Sequence, residues 1–420
     1  MGTIVSKKAE NLIGSEIIKL AGEINEKIRQ GKKIYNFTIG DFNPKIFPIP
    51  DELKQNIIGE YYREQTNYPP ADGVPELREA VSEFLKHYGD LGYGKNEILI
   101  AGGARPLIYA IYQTIVDPGE KVIFPVPSWN NNHYTYLSSG QQVLVETKPE
   151  NNFMPTVEEL RPHIGDAVMI ALCSPLNPTG TTFSKEQLEA ICDMILEENK
   201  RRGEDRKPLY LLYDQIYWLL TIGDTKHYDP VSLRPEMHPY TVYVDGISKG
   251  FAATGVRVGW SFGPEAIINK MKSILGHIGA WSPKAEQLAT ASFMKNHKAV
   301  NSYLKWIRAT VNVRFQEFYN GFMELKEEGL PVDVISPQAA IYMTIRFDLK
   351  GLKTPEGTVL ETTDDVTAFI LNESDFAVVP FYAFGSPRES NWYRLSVGTA
   401  VVEEIPEIIK KLRTALRKLS

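Results

Sequence analysis

The sequence predicts an α/β fold: a large domain built on a mostly parallel central sheet, joined to a smaller α+β domain. Three observations carry that expectation. At 420 residues the chain exceeds what one hydrophobic core usually serves. Its middle alternates short apolar runs with polar, 3.6-periodic segments, the strand–helix–strand order of a parallel sheet. Its last third turns to long helical stretches and shorter strands.

The elements follow in order. Ser15 to Gln30 reads as a helix with no sheet of its own, expected to pack on the smaller domain. Ile98 to Ile100, Val122 to Phe124, Val168 to Leu172, Leu209 to Tyr213 and Thr241 to Val244 read as buried strands. A helix starts after Ser184, where Ser-Lys-Glu-Gln forms a capping box with Gln187 and leads into Leu188, Ile191 and Ile195. Basic residues from Arg201 to Lys207 close it. A long helix is expected around Lys295 to Lys326, then strands over Ile341 to Phe347 and Tyr393 to Val397, then an amphipathic helix from about Glu404 to Leu419. The resulting division is an N-terminal segment, 1–47, that packs with the small domain, a large domain, 48–300, and a small domain, 301–420.

Composition removes several classes of function. A formal charge of −6, from 46 basic and 52 acidic residues, argues against a nucleic-acid or anionic-membrane surface. No apolar run approaches bilayer length, and Met1 to Leu20 lacks a signal-peptide core. Cys173 and Cys192 are too few for a disulfide framework, show no metal-ligand spacing and fit a reducing cytoplasm. The seven histidines form no HExxH pair, so a metal hydrolase is not expected. No GxGxxG opens a helix after a strand, which weighs against a dinucleotide-binding dehydrogenase.

Ligands of open parallel sheets bind at the carboxyl ends of strands, so the residues that follow each strand matter most. Thr241 to Val244 leads into Asp245-Gly-Ile-Ser-Lys-Gly250. A lone lysine there would ordinarily be solvated. Lys249, however, lies among glycine and apolar residues that desolvate an ammonium and favour the nucleophilic amine. Arg257 follows eight residues later in Thr254-Gly-Val-Arg-Val-Gly-Trp260. A lysine and an arginine on one pocket suit an aldehyde and a phosphate on one cofactor. Asp214 ends an apolar strand, where a carboxylate is costly unless paired. Its partner is either a structural arginine or a pyridinium nitrogen, and Tyr217, three residues on, has a hydroxyl to donate to a ring oxygen. Val168 to Leu172 leads into Ser174-Pro-Leu-Asn-Pro-Thr-Gly180, where Asn177 offers an amide to a ring oxygen and a carboxylate.

Asn177-Pro-Thr-Gly180, Asp214-x-x-Tyr217, and Ser248-Lys249 with Arg257 together resemble the core signature of the class I/II aminotransferases. The likeness runs from Ile39-Gly40 to Arg394. It implies the fold-type-I, aspartate-aminotransferase-like architecture and pyridoxal 5′-phosphate held on Lys249 as a Schiff base. It further implies that Asp214, Tyr217 and Lys249 are the catalytic set.

Other positions carry over one at a time. Ala101-Gly-Gly-Ala-Arg105 resembles the family's phosphate cup, with Gly103, Ala104 and Arg105 as cofactor contacts; a tight strand-to-helix turn accounts for the glycines equally well. Trp129 matches the aromatic residue that stacks on the cofactor and borders the substrate, though alone it would read as core. Tyr68 resembles a tyrosine that reaches the phosphate of the neighbouring subunit, which implies a homodimer. Arg394 resembles the arginine that grips the substrate α-carboxylate, and its planar fork suits that group. Gly40 resembles the glycine whose loop closes over substrate, and Asn177 serves cofactor and substrate together.

Three positions depart from the family pattern. Gly246 stands where serine is common, leaving Ser248 to compensate. Arg105 stands where a neutral polar residue is usual, facing either phosphate or substrate. Phe381 stands where glycine is common, and is expected to narrow the substrate end of the pocket.

The expected activity is ping-pong transfer of an amino group between an L-amino acid, with aspartate favoured as donor, and a 2-oxo acid. A C–S lyase or decarboxylase on the same cofactor is the first alternative. A non-catalytic cofactor-binding regulator is the second, disfavoured because no helix-turn-helix or basic patch precedes Ile39-Gly40.

Overall fold

The computed structural model describes residues 4–12, 14 and 16–420. Its thirteen strands, among those residues, are β1 (Tyr35–Asn36), β2 (Ile98–Ala101), β3 (Lys121–Val126), β4 (Gln141–Glu146), β5 (Ala167–Cys173), β6 (Tyr210–Asp214), β7 (Thr241–Gly246), β8 (Gly259–Phe262), β9 (Val332–Val334), β10 (Tyr342–Phe347), β11 (Phe376–Ala377), β12 (Val379–Pro380) and β13 (Trp392–Ser396). Seven form one sheet in the order β2-β8-β7-β6-β5-β3-β4. Every pairing in it is parallel except those of β8, which runs antiparallel to both β2 and β7.

The apolar runs become strands because helices cover both faces of this sheet. Side chains alternate between the two layers: Ile98, Ile100, Ile170, Leu172, Leu211 and Tyr213 enter one core cluster. Leu99, Ala101, Met169, Ala171, Leu212 and Val244 enter the other. The helices Ala104–Ile115 and Glu265–Ile278 pack on the second face through Leu107, Ile111, Met271 and Leu275. The helices Pro75–Gly89, Lys185–Arg202 and Lys284–Lys295 add to the first. The capping box stands as expected: Ser184 Oγ accepts from the Gln187 amide, and Gln187 Oε1 accepts from the Ser184 amide, both at 3.1 Å.

Two strands escape a reading by apolar runs. β4 is the sheet edge and has one buried residue, Val145; its apolar run is only Val143 to Val145, between glutamines and a glutamate. β8 is four residues long and begins at a glycine. The long helix expected around Lys295 to Lys326 is His297–Glu327, and a separate helix, Lys284–Lys295, precedes it. Asn296 separates them, and its side chain accepts from the Ala299 amide at 3.2 Å to start the second.

A second, antiparallel sheet has the order β12-β13-β10-β9. The N-terminal helix spans Glu16–Arg29; Ser15 of the expected helix and residues 1–3 and 13 of the N-terminal segment lie outside the described residues. Ile24 is buried with Leu371 and Ala377, and β1 pairs in parallel with β11. Among the described residues no helix is long and apolar enough to cross a membrane.

Candidate active site

The carboxyl ends of the parallel strands converge on a cavity of about 810 Å³. β2 is followed by the Gly102–Arg105 turn, β3 by Trp129, β5 by Asn177, β6 by Asp214 and Tyr217, and β7 by Ser248 and Lys249. Because β8 runs antiparallel, its amino end lies on this same edge, and Arg257 precedes it. Of the residues singled out in the sequence, Gly40, Ala104, Arg105, Trp129, Asn177, Asp214, Tyr217, Ser248, Lys249, Arg257 and Arg394 line the cavity. Gly103, next to Ala104, is not among the lining residues. Tyr68 is apart from it, 81% exposed, with its ring edge-on to Trp281.

Lys249 lies in a single helical turn, Ile247–Gly250, immediately after β7. Its Nζ donates to the Gly40 carbonyl at 2.7 Å. Desolvation lowers its pKa to about 8, with Asp41 opposing the shift and Arg394, Arg105 and Arg257 adding to it. The amine is therefore partly neutral near neutral pH. Asp214 shifts the other way, raised to about 6 by desolvation, with the Ile216 amide and Lys249 opposing. Its recorded hydrogen-bond partner is the Ile216 amide, at 3.0 Å. A carboxylate so placed suits a cationic ring nitrogen.

Gly103 has φ +94° and precedes the helix Ala104–Ile115, whose first turn has no side-chain cap. A Cβ at Gly103 would overlap the Arg257 guanidinium, which lies across that turn and donates to the carbonyls of Gly102 at 2.7 Å and Thr254 at 2.8 Å. Helix amides and a guanidinium that has no carboxylate partner among the described residues form an anion cradle. Arg394, 2% exposed, donates to Asn177 Oδ1 at 3.0 Å and to the Thr38 carbonyl at 2.6 Å, and its Nε is buried without a partner. Its guanidinium carbon stands 4.7 Å from the Tyr342 ring centre and 4.9 Å from that of Phe384. The Arg105 guanidinium faces the Trp129 ring at 4.6 Å. This donor set fits a phosphate-bearing pyridine aldehyde and an amino-acid carboxylate.

Two departures acquire physical reasons. At Gly246 a Cβ would come within 2.9 Å of the Gly259 Cα and the Val258 carbonyl, so the close approach of β8 excludes a side chain. Phe381 does not narrow the cavity. It is fully buried against Phe153 and Phe384, and supports the ring that backs Arg394.

Sequence reading passed over Asp41, His133, Cys173 and Tyr342, which also line the cavity. Asp41 adjoins Gly40 and accepts from Thr254 Oγ1 at 2.8 Å; its place beside the glycine motif was the available signal. Burial holds His133 below its ordinary pKa and the Cys173 thiol well above its own. Tyr342 opens a buried strand, where its pattern is that of a core residue.

Residues 32–412 match the family model described as aminotransferase class I and II. The chain is 27% identical over 418 residues to an aspartate aminotransferase of Bacillus sp. (strain YM-2), covering 98% of this chain and 99% of that protein. It is 27% identical over 420 residues to a probable aspartate/prephenate aminotransferase of Rickettsia prowazekii (strain Madrid E), covering 99% and 100%. The crystal structure of the Rhizobium meliloti aspartate aminotransferase superposes with a TM-score of 0.90 at 26% identity, covering all of both chains. That of Thermus thermophilus with maleate gives 0.86 at 25% identity, covering 99% of this chain and 100% of that one. With the anion cradle, the partly neutral Lys249 and the half-buried Asp214 arranged around one cavity, this chain belongs to the class I and II aminotransferases and is a pyridoxal-phosphate-dependent enzyme of that family.

Proposed function

We propose that the enzyme moves the amino group of an L-amino acid to a 2-oxo acid in two half-reactions at this cavity. The carrying observation is the placement of Lys249 among three arginines, Arg105, Arg257 and Arg394, none of which is ion-paired among the described residues. The bound cofactor supplies an electron sink for charge developing at the substrate α-carbon. Lys249 Nζ would anchor the cofactor covalently, and its amine would take up the substrate α-proton and return it. Asp214 holds the ring nitrogen in its protonated form, and Tyr217 donates to the ring oxygen. Arg257, Ser248 and the Gly103–Arg105 turn hold the phosphate. Trp129 covers the ring face. Arg394 grips the α-carboxylate, Asn177 orients that guanidinium, and the Gly40 loop closes the substrate side.

Aspartate is the favoured donor. Supporting it are the names of the relatives and Arg105, whose guanidinium at the Trp129 side of the cavity suits a second carboxylate. The proposed organisation is a large domain, 48–300, a small domain, 301–420, with 1–47 packed on the latter, in a cytoplasmic homodimer. Exposed Tyr68 then reaches the partner's phosphate.

The test is a single half-reaction. Loaded enzyme is mixed separately with aspartate, glutamate, alanine and phenylalanine, without any 2-oxo acid, and the released product is quantified. One 2-oxo acid per site, fastest from aspartate, is expected. Release of carbon dioxide or a thiol instead would overturn amino transfer in favour of a decarboxylase or lyase.

A further inference from the structure

The Tyr217 and Tyr342 hydroxyls lie 2.6 Å apart, and the two rings are 3% and 1% exposed. Each hydroxyl carries one hydrogen, and among the described residues neither has another recorded hydrogen-bond partner. One hydrogen lies between them and the other is available to the cavity. Which tyrosine keeps it depends on relative donor strength. Arg394, permanently charged, sits 4.7 Å from the Tyr342 ring centre and withdraws electron density from it. The cation over the Tyr217 ring is Lys249, which stands farther off, at 5.7 Å. Tyr342 is therefore the stronger donor.

The backbone makes room for this arrangement on two sides. A Cβ at Gly40 would come within 2.8 Å of the Tyr342 hydroxyl oxygen, and one at Gly180, φ +72°, would overlap the Tyr342 carbonyl. Tyr342 is thus wedged between two glycine segments, with Arg394 against its ring and Tyr217 on its hydroxyl.

We propose that Tyr342 is a positioning residue: it donates to the Tyr217 oxygen, keeps the Tyr217 hydrogen directed at the cofactor ring oxygen, and relays carboxylate binding at Arg394 to that contact. This rests on the reading of Tyr217 and Arg394 given above. Chained hydroxyls strengthen one another, so removing the first weakens the donation made by the second. A carboxylate on Arg394 offsets the charge that makes Tyr342 a strong donor, and the effect passes along the same chain.

The test is a pH titration of the visible absorption of the cofactor in the loaded enzyme, with and without maleate. Tyr342→Phe keeps the packed ring and removes only the hydroxyl. Its titration midpoint is expected about 0.5 pH unit above that of the parent, with a smaller change on adding maleate. Lys249, Asp214, Asp41, Cys173, Arg394 and Arg257 face the same cavity and are unchanged in this variant, so they do not produce the difference. A purely structural role would lower thermal stability and leave the midpoint in place. Tyr217→Phe is the control and is expected to shift the midpoint further in the same direction. If that control shifts and Tyr342→Phe matches the parent with and without maleate, the relay is overturned. If Tyr217→Phe itself leaves the midpoint unmoved, the role of Tyr217 at the cofactor is overturned, and the relay with it.

Discussion

Lys249 Nζ donates to the carbonyl of Gly40 at 2.7 Å, joining residues 209 apart in the chain and holding the amine on the cavity wall. Beside it stands Asp41, whose charge opposes the desolvation of the ammonium. The glycine loop of the N-terminal segment and the lysine after β7 thus form one unit. Lys249→Ala should abolish the covalently held chromophore, so that gel filtration strips the visible absorbance, and lower the half-reaction rate at least ~10³-fold. A variant that retains its absorbance and rate would show that another group holds the cofactor.

The pH dependence of loading follows from the direction of the Lys249 shift. Its folded pKa is lowered to about 8, so the reactive neutral amine gains about tenfold per pH unit below that value and little above it. Loading of cofactor-free protein should therefore rise from pH 6 to about 8 and then level off. A rate still climbing steeply at pH 10 would mean an ordinary, solvated lysine.

Asp214 carries an opposite signature for stability and activity. Its folded pKa, about 6, is above its ordinary value, so between about 4 and 6 the folded state binds more protons than the unfolded one. The contribution of Asp214 to stability therefore falls as pH rises through that window, and the ionised carboxylate is a net cost at pH 7 in the cofactor-free chain. Asp214→Asn should stabilise that form by on the order of 1 kcal/mol at pH 7, while lowering kcat by ~10²-fold or more. Denaturant melts at pH 7 and at pH 4 check the sign, because the gain should shrink at the lower pH.

Gly103→Ala is expected to weaken cofactor binding by at least ~10-fold. The new methyl would overlap Arg257, and φ +94° is strained for any residue with a Cβ. Equilibrium dissociation of the cofactor, followed by fluorescence, reads this directly. Arg394→Lys should instead leave cofactor affinity nearly unchanged and raise KM for the amino acid by ~10²-fold, since the planar fork is lost.

Tyr68 lies outside its own chain's cavity, so its proposed role is testable by complementation. Lys249→Ala and Tyr68→Ala proteins, each impaired, are unfolded together and refolded as a mixture. Hybrid dimers contain one site with Lys249 from one chain and Tyr68 from the other, and activity should rise well above the mean of the two parents. No gain on mixing would place Tyr68 outside the site.

Much of the site was legible because this sheet puts its chemistry just past strand ends. Asn177, Asp214 and Lys249 each follow an apolar run, and the apolar run reveals the strand. What escaped has the opposite character. Tyr342 lies within a buried strand of the smaller sheet, where a tyrosine that packs and one that donates a hydrogen bond look alike. β8 was invisible as a strand for a related reason. Its worth lies in running antiparallel, which brings Arg257 to the cavity edge, and strand direction leaves no mark in four residues.

Hydrophobic periodicity, strand-end motifs and charge balance are local properties, and they determined the α/β class, five of the central strands and several of the residues that line the cavity. Tertiary structure alone decided which of those residues meet and in what electrical state. The Gly40–Lys249 bond, the Arg394 guanidinium between Asn177 and Tyr342, and the opposite shifts of Lys249 and Asp214 all depend on distances across the fold and on water excluded from a shared cavity. Solvent exclusion is a property of the packed molecule, so no stretch of sequence carries it.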